Sequence, residues 1–297
     1  MGPAVSEPRI ENGSFIARDG VVLPLTVWGP RTNPDKVVIA AHSFGEFRDA
    51  FALIGAHLAE RNIAVWAYDQ RGFGNAPHRG LWAGTDTMIN DFQDFTQAVR
   101  TVAGPEAPHI LMGESMGAAV VIGAVTRGAF PRPHALILSG PGVRENRPKR
   151  YWFNAGLWAL TRVAASYEAD VPRTYDDRLA DYHASRWAEN PKIIDKVRLD
   201  TYYGLIRLSD YASEAASEIS APTLVLFGTE DSQIHPRSIC ALGKRLGAGG
   251  TFRIFEGGPH LMFQVRDQNK ILDLIDTWIE APDTNMSDDL GEFCAEH

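Results

Sequence analysis

Gly113-Glu114-Ser115-Met116-Gly117 stands between an apolar run, His109-Ile110-Leu111-Met112, and a run of small apolar residues from Ala118 to Val125. The pattern reads as strand, sharp turn, helix. In that context G-x-S-x-G is a turn so tight that the serine backbone is strained. Small residues two before and two after the serine let strand and helix approach. The turn holds the serine Oγ at the C-terminal edge of a sheet, above a helix N-terminus. Glycine and serine are common, so the pentapeptide alone is a modest signal. A serine hydroxyl also needs a base, an orienting acid and oxyanion donors from elsewhere in the chain.

Outward from this turn the chain alternates strand and helix. Lys36 to Ala41, Ile63 to Tyr68, Ala135 to Leu138, Thr223 to Phe227 and Thr251 to Phe255 read as buried strands. Ser14 to Ala17 and Val21 to Trp28 read as strands joined at Asp19-Gly20. Helices are expected around Asp49 to Arg61, Thr87 to Val102, Pro236 to Leu246 and Ile271 to Ile279. With the strand before Ser115, this makes a mostly parallel eight-stranded sheet covered by helices on both faces, an α/β fold. From 143 to 219 the rhythm changes to helices, Tyr151 to Ala165 and Asp200 to Ser217, with no clear buried strand. The expected organisation is a core of 13–142 and 220–280, a helical insertion at 143–219, and flexible termini at 1–12 and 281–297.

Composition is that of an ordinary globular protein: 297 residues, 44% hydrophobic, 22% charged, net charge −8. That charge, with no basic stripe, argues against nucleic acid as a partner. The two cysteines, Cys240 in an expected helix and Cys294 in the acidic tail, are not expected to pair. No apolar run reaches the roughly 18–20 residues of a membrane span. Met1 to Ser6 formally fits a myristoylation pattern, which Pro3 disfavours. No signal peptide is visible, and compartment stays open: cytoplasmic as written, exported or lipid-anchored if an N-terminal signal has been removed. There is no H-E-x-x-H, no cysteine pair at metal spacing and no Walker A loop, and Gly72 and Gly74 lack a third glycine. No cofactor or metal is called for.

In a parallel sheet, working residues gather at the C-terminal ends of strands. Of the nine histidines, His260 and His42 follow strands at that edge. His260, on the Gly257-Gly258-Pro259 loop after the last strand, is the better base. His42 is read as a buttress of its own loop. Asp231, after Gly228, is the favoured acid to orient His260, with Glu230 as its rival. The order Ser115, Asp231, His260 is one of the known triad orders. The Met116 N–H, next to the nucleophile, and the Phe44 N–H, in the loop after an earlier strand, are the expected oxyanion donors. Asp69 and Arg71 are read as loop-fixing residues.

The set His42-Ser43-Phe44-Gly45-Glu46, Tyr68-Asp69-Gln70-Arg71-Gly72-Phe73-Gly74, Gly113-Glu114-Ser115-Met116-Gly117, Gly228 with Asp231, and His260 resembles the monoacylglycerol lipase and lysophospholipase-like α/β-hydrolases, the serine aminopeptidase S33 or hydrolase-4 group. The resemblance runs from about 13 to 280. It implies a serine carboxylic-ester hydrolase acting on monoacyl lipids, with 143–219 as a lid and no cofactor. Bacterial relatives with the same Tyr68-to-Gly74 loop resemble exported or lipid-anchored proteins. The departure is Ser43, where the family usually has glycine, which reaches φ > 0 more cheaply. The insertion supplies aromatic residues, and Trp152, Trp158 and Tyr203 are the expected substrate contacts. Its basic residues between Arg144 and Arg150 suggest peripheral contact of the lid with a membrane. Two alternatives stand beside this: an esterase of small or non-lipid substrates, and a catalytically silent ligand receptor. Oligomeric state is not readable. Dehalogenase and epoxide hydrolase chemistry needs an aspartate at position 115.

Overall fold

The computed structural model describes residues 6–145, 148–171, 175–282 and 289–297. The chain opens with three strands, β1 (Arg9–Glu11), β2 (Ser14–Ile16) and β3 (Val22–Trp28). The alternating part follows: β4 (Lys36–Ala41), α1 (Ala52–Ala59), β5 (Ile63–Tyr68), α2 (Thr85–Ala103), β6 (His109–Glu114), α3 (Met116–Thr126) and β7 (Ala135–Ser139). The insertion holds α4 (Pro148–Ala164), β8 (Glu168–Asp170), α5 (Asp181–Glu189), β9 (Lys196–Arg198) and α6 (Leu199–Ala215). The core resumes with β10 (Thr223–Gly228), α7 (Pro236–Leu246), β11 (Gly250–Phe255) and α8 (Gln268–Glu280), and α9 (Leu290–Glu296) ends the chain.

Nine strands form the main sheet, in the order β1-β2-β3-β5-β4-β6-β7-β10-β11. The pairs from β5 to β11 are parallel, and β1 to β3 run antiparallel into them. The count is nine rather than the expected eight because β1 lies in the segment read as a flexible lead-in. Asn12 (φ 49°) and Gly13 (φ 73°) form a two-residue turn with both φ positive, which fits the right-handed twist of a hairpin. Residues 1–5 lie outside the described residues.

β6 sits in the middle, between β4 and β7, and every residue in it is buried. Side chains alternate between two cores, as they must in a strand buried on both faces. Val37, Ile39 and Ala41 join the core under α2, α3 and α7, while Val38 and Ala40 join the one under α1 and α8. Trp278 of α8 is fully buried and donates Nε1–H to the Leu136 carbonyl at 3.1 Å, so its one polar atom is satisfied.

The insertion holds the helices α4 and α6, and it also contains a short antiparallel strand pair, β8 with β9, and a third helix, α5, between those strands. The C-terminal segment differs more. Cys240 and Cys294 form a disulfide with Cα atoms 5.8 Å apart. Phe293 is buried 5.7 Å from the Phe227 ring, and Asp289 Oδ2 accepts from Arg253 Nε and Ile254 N. Leu290, Phe293 and Cys294 stand at i, i+3 and i+4, so one helical face carries all the apolar contact while acidic composition conceals it. Residues 283–288 lie outside the described residues. Among the described residues, no helix is long and apolar enough to cross a membrane.

Candidate active site

Ser115 sits between β6 and α3 with φ 53° and ψ −114°, a strained conformation for a residue with a side chain. The strain is held by bonds on both sides. Ser115 N donates to the Ser139 carbonyl at 2.9 Å, and the Ser115 carbonyl accepts from Ala119 N at 3.2 Å and Gly142 N at 2.9 Å. The two flanking glycines are required by space. A Cβ on Gly117 would overlap the Ala41 carbonyl, and one on Gly113 would stand 2.5 Å from the Ala118 Cα.

His260 arrives on the loop after β11. Its Nε2 lies 2.8 Å from Ser115 Oγ and its Nδ1 lies 2.7 Å from Asp231 Oδ2. Asp231 follows β10, and its side chain is 0% exposed. Its Oδ1 accepts from Gln233 N at 2.7 Å and Ile234 N at 2.9 Å, which fixes the carboxylate in its turn. An ionised carboxylate can only accept, so Nδ1 carries the imidazole proton and Nε2 is left to accept from the Ser115 hydroxyl. Glu230, the rival acid, turns outward: its side chain is 62% exposed and pairs with Arg178 at 2.9 Å.

The loop after β4 explains where the Phe44 amide points. Gln70 N donates to His42 Nε2 at 3.0 Å, so His42 Nδ1 bears its proton and donates to the Ser43 carbonyl at 2.9 Å. Glu46 N donates to the same carbonyl at 3.3 Å. In a planar trans peptide the Phe44 N–H points opposite to that carbonyl. Burial pushes the His42 pKa down, which keeps the ring neutral in this buttressing role. Among the described residues the Phe44 N–H has no acceptor, and the Met116 N–H, in the first turn of α3, has none within the helix. Both residues line the same cavity as Ser115 and His260. Ser43 does not take a positive φ; in this loop Gly45 does, at 79°. The substitution of glycine by serine therefore does not strain the loop. Asp69 accepts from Arg48 Nη1 (2.6 Å), Arg48 N (3.1 Å) and Asn75 N (2.8 Å), and Arg71 bridges Asp19 and Asp91. Both fix loops, as expected.

A buried polar cluster beneath the site is absent from the sequence reading. Glu114, directly before the serine, accepts from Phe263 N at 3.1 Å and Gln264 Nε2 at 2.6 Å. Arg186 of α5 donates to Gln264 Oε1 at 2.8 Å and forks onto Glu46. Arg186 of the insertion thus bonds the loop after β4 (Glu46) and the loop after β11 (Gln264), and Gln264 in turn bonds Glu114 at the end of β6. Burial pushes the Glu114 pKa up to about 7. The only sequence signal was two glutamates in otherwise apolar motifs.

Ser115 opens into a cavity of about 1100 Å³. Its far walls come from the insertion and include Phe153, Trp187, Tyr202, Leu205 and Ile206. The expected contacts Trp152, Trp158 and Tyr203 are not in these walls. Trp152 is 81% exposed and Trp158 47%, both outward on α4, while Tyr203 is half-buried elsewhere on α6. Each neighbour along a helix turns by about 100°, so Phe153 and Tyr202 face the cavity in their stead. The arginines are also engaged: Arg144 pairs with Asp210 at 2.9 Å and Arg150 with Glu214 at 2.5 Å. Arg147 lies outside the described residues. No group of three or more metal-ligating side chains occurs among the described residues.

Comparison with known proteins places these features in company. The family described as Hydrolase_4, serine aminopeptidase S33, matches residues 32–267. A monoacylglycerol lipase of Mycolicibacterium smegmatis is 26% identical over 93% of this chain and 98% of its own length. A monoacylglycerol lipase of Paleococcus ferrophilus superposes with a TM-score of 0.71 at 20% identity, over 88% of this chain and 99% of that one. A thermostable carboxyl esterase from Bacillus coagulans gives 0.75 at 19% identity, over 91% and 98%.

Proposed function

Since the chain belongs to the Hydrolase_4 family, serine aminopeptidase S33, and has the α/β-hydrolase fold, we propose that it is a serine carboxylic-ester hydrolase acting on monoacyl lipids. Ser115 Oγ attacks the ester carbonyl as its proton passes to His260 Nε2, and Asp231 stabilises the imidazolium. The oxyanion is held by the Phe44 and Met116 amides. The ester C–O bond breaks, His260 returns the proton to the leaving alcohol, and the acyl group stays on Ser115. Water, deprotonated by His260, then attacks the acyl carbonyl, the bond from that carbon to Ser115 Oγ breaks, and His260 returns the proton to Oγ as the acid leaves. The observation that carries this reading is the continuous Ser115–His260–Asp231 hydrogen-bond chain at the floor of a largely apolar cavity.

The family description names a peptidase, but the cavity walls favour an acyl chain. Phe153, Trp187, Leu205 and Ile206 offer apolar surface of the kind that takes up a single alkyl tail. The insertion at 143–219 acts as the lid over that chain. The outward face of α4, with Trp152, Trp158 and Val163 exposed, is suited to peripheral contact with a lipid surface, from which such a substrate would come. The ion pairs of Arg144 and Arg150 take those two residues out of that role.

An acyl-chain series of p-nitrophenyl esters and monoacylglycerols tests the reading. Wild type is expected to turn over the longer chains with higher kcat/KM than acetate, and Ser115→Ala to lose activity by at least about 10³-fold. Retained turnover in the variant would sink the mechanism. A preference for acetate would remove the lipid assignment and keep the esterase.

A further inference from the structure

Resting on that ester-hydrolase reading, we propose that the Ser43 hydroxyl is a third hydrogen-bond donor to the oxyanion, beside the Phe44 and Met116 amides. Ser43 lines the cavity with Ser115, Phe44 and Met116, and is 3% exposed. Its Oγ is buried and has no hydrogen-bond partner among the described residues. A buried hydroxyl left unpaired is costly, and such orphans occur where a ligand completes the bond. The Ser43 carbonyl is held by His42 and Glu46, which fixes the peptide and leaves the Ser43 hydroxyl and the Phe44 N–H both unmatched among the described residues.

Nothing in the backbone calls for a serine. The φ is not positive, so the position accepts any small residue, and glycine would leave the loop the same shape. What serine adds is one O–H, next in the chain to the amide that faces the developing negative charge. A neutral ester carbonyl engages a hydroxyl weakly; the tetrahedral oxyanion engages it strongly, as a charge-assisted bond. The bond therefore strengthens in the transition state, and it lowers the barrier without tightening substrate binding. The Ser43 proton stays on Oγ throughout, and only Ser115 exchanges its proton with His260.

Ser43→Gly and Ser43→Ala are compared with wild type on one p-nitrophenyl ester. Both variants are expected to lose about 10- to 100-fold in kcat with KM within about twofold, toward the low end of what a lost oxyanion donor costs. An alkyl trifluoromethyl ketone, which forms the tetrahedral adduct, should bind both variants weaker by the same factor as the loss in kcat/KM. The melting temperature should hold or rise, because an unpaired hydroxyl has been removed. Ser43→Gly, the residue usual at this place, serves if the alanine variant misfolds. Wild-type kcat and unchanged ketone affinity in Ser43→Gly would overturn the proposal while leaving the hydrolase intact. A wild type that neither turns over any ester nor binds the ketone overturns the parent reading and this one with it.

Discussion

Asp231 and Glu230 are neighbours in the chain and opposites in surroundings. One is sealed under His260 with two backbone donors on its second oxygen; the other pairs with an arginine at the surface. Asp231→Asn keeps the shape but removes the acceptor that fixes the histidine tautomer, and kcat/KM should fall about 10³- to 10⁴-fold. Glu230→Gln should cost at most a few-fold, since exposed pairs contribute little. Equal losses from the two, measured on one ester, would contradict the assignment. The sequence could bring Ser115, Asp231 and His260 together because each follows a strand of the parallel sheet, and strand ends are where such a sheet concentrates its chemistry. Trp152, Trp158 and Tyr203 were misread because sequence shows that a residue is aromatic, and only packing shows which way a helix turns it. Phe153 and Tyr202, one residue from two of those choices, line the cavity.

Helix α9 is fastened where the acidic tail suggested a loose end. The disulfide closes a loop of 54 residues between Cys240 and Cys294. A cross-link over that length stabilises by at most about 4 kcal/mol, through loss of freedom in the unfolded chain. Reduction with dithiothreitol, or Cys294→Ser, should lower the melting temperature by several degrees, read by calorimetry. Esterase activity at 25 °C should persist, because Ser115, Asp231 and His260 are held by other bonds. An unchanged melting temperature would mean the bond adds nothing. The missed elements share a cause. β1, α5 and α9 are short, and none carries more than one buried apolar side chain: Ala184 in α5, Phe293 in α9, and in β1 only the partly buried Ile10. The Asn12-Gly13 turn that makes β1 was written in the sequence as a strong hairpin signal. The long, fully buried strands and α2 were found near their true limits because many residues vote for each.

Arg186 ties the insertion to two loops of the core, and through Gln264 to Glu114, so insertion and core meet in one buried cluster beneath Ser115. Glu114 gives this cluster a pH signature. Its pKa rises from 4.5 to about 7 on folding. The folded chain then holds the proton more tightly. Its stabilising contribution is complete below about pH 4.5 and is lost as pH rises to about 7, by roughly 3 kcal/mol at 1.4 kcal/mol per decade. Glu114→Gln fixes the neutral form, so its melting temperature relative to wild type should climb from pH 5 to pH 8. A constant difference would contradict the assignment. The alternation of strands and helices pointed to a core and an insertion; the cluster between them stayed hidden, since its hydrogen-bonded partners lie 78 to 218 residues apart in the chain. All of this converges on Ser115 as the nucleophile, and the most direct test is mass spectrometry after exposure to a fluorophosphonate. One adduct per chain, mapped to Ser115 and absent from Ser115→Ala and much slowed in His260→Ala, is the result expected. No adduct, or an adduct on another serine, would contradict the account.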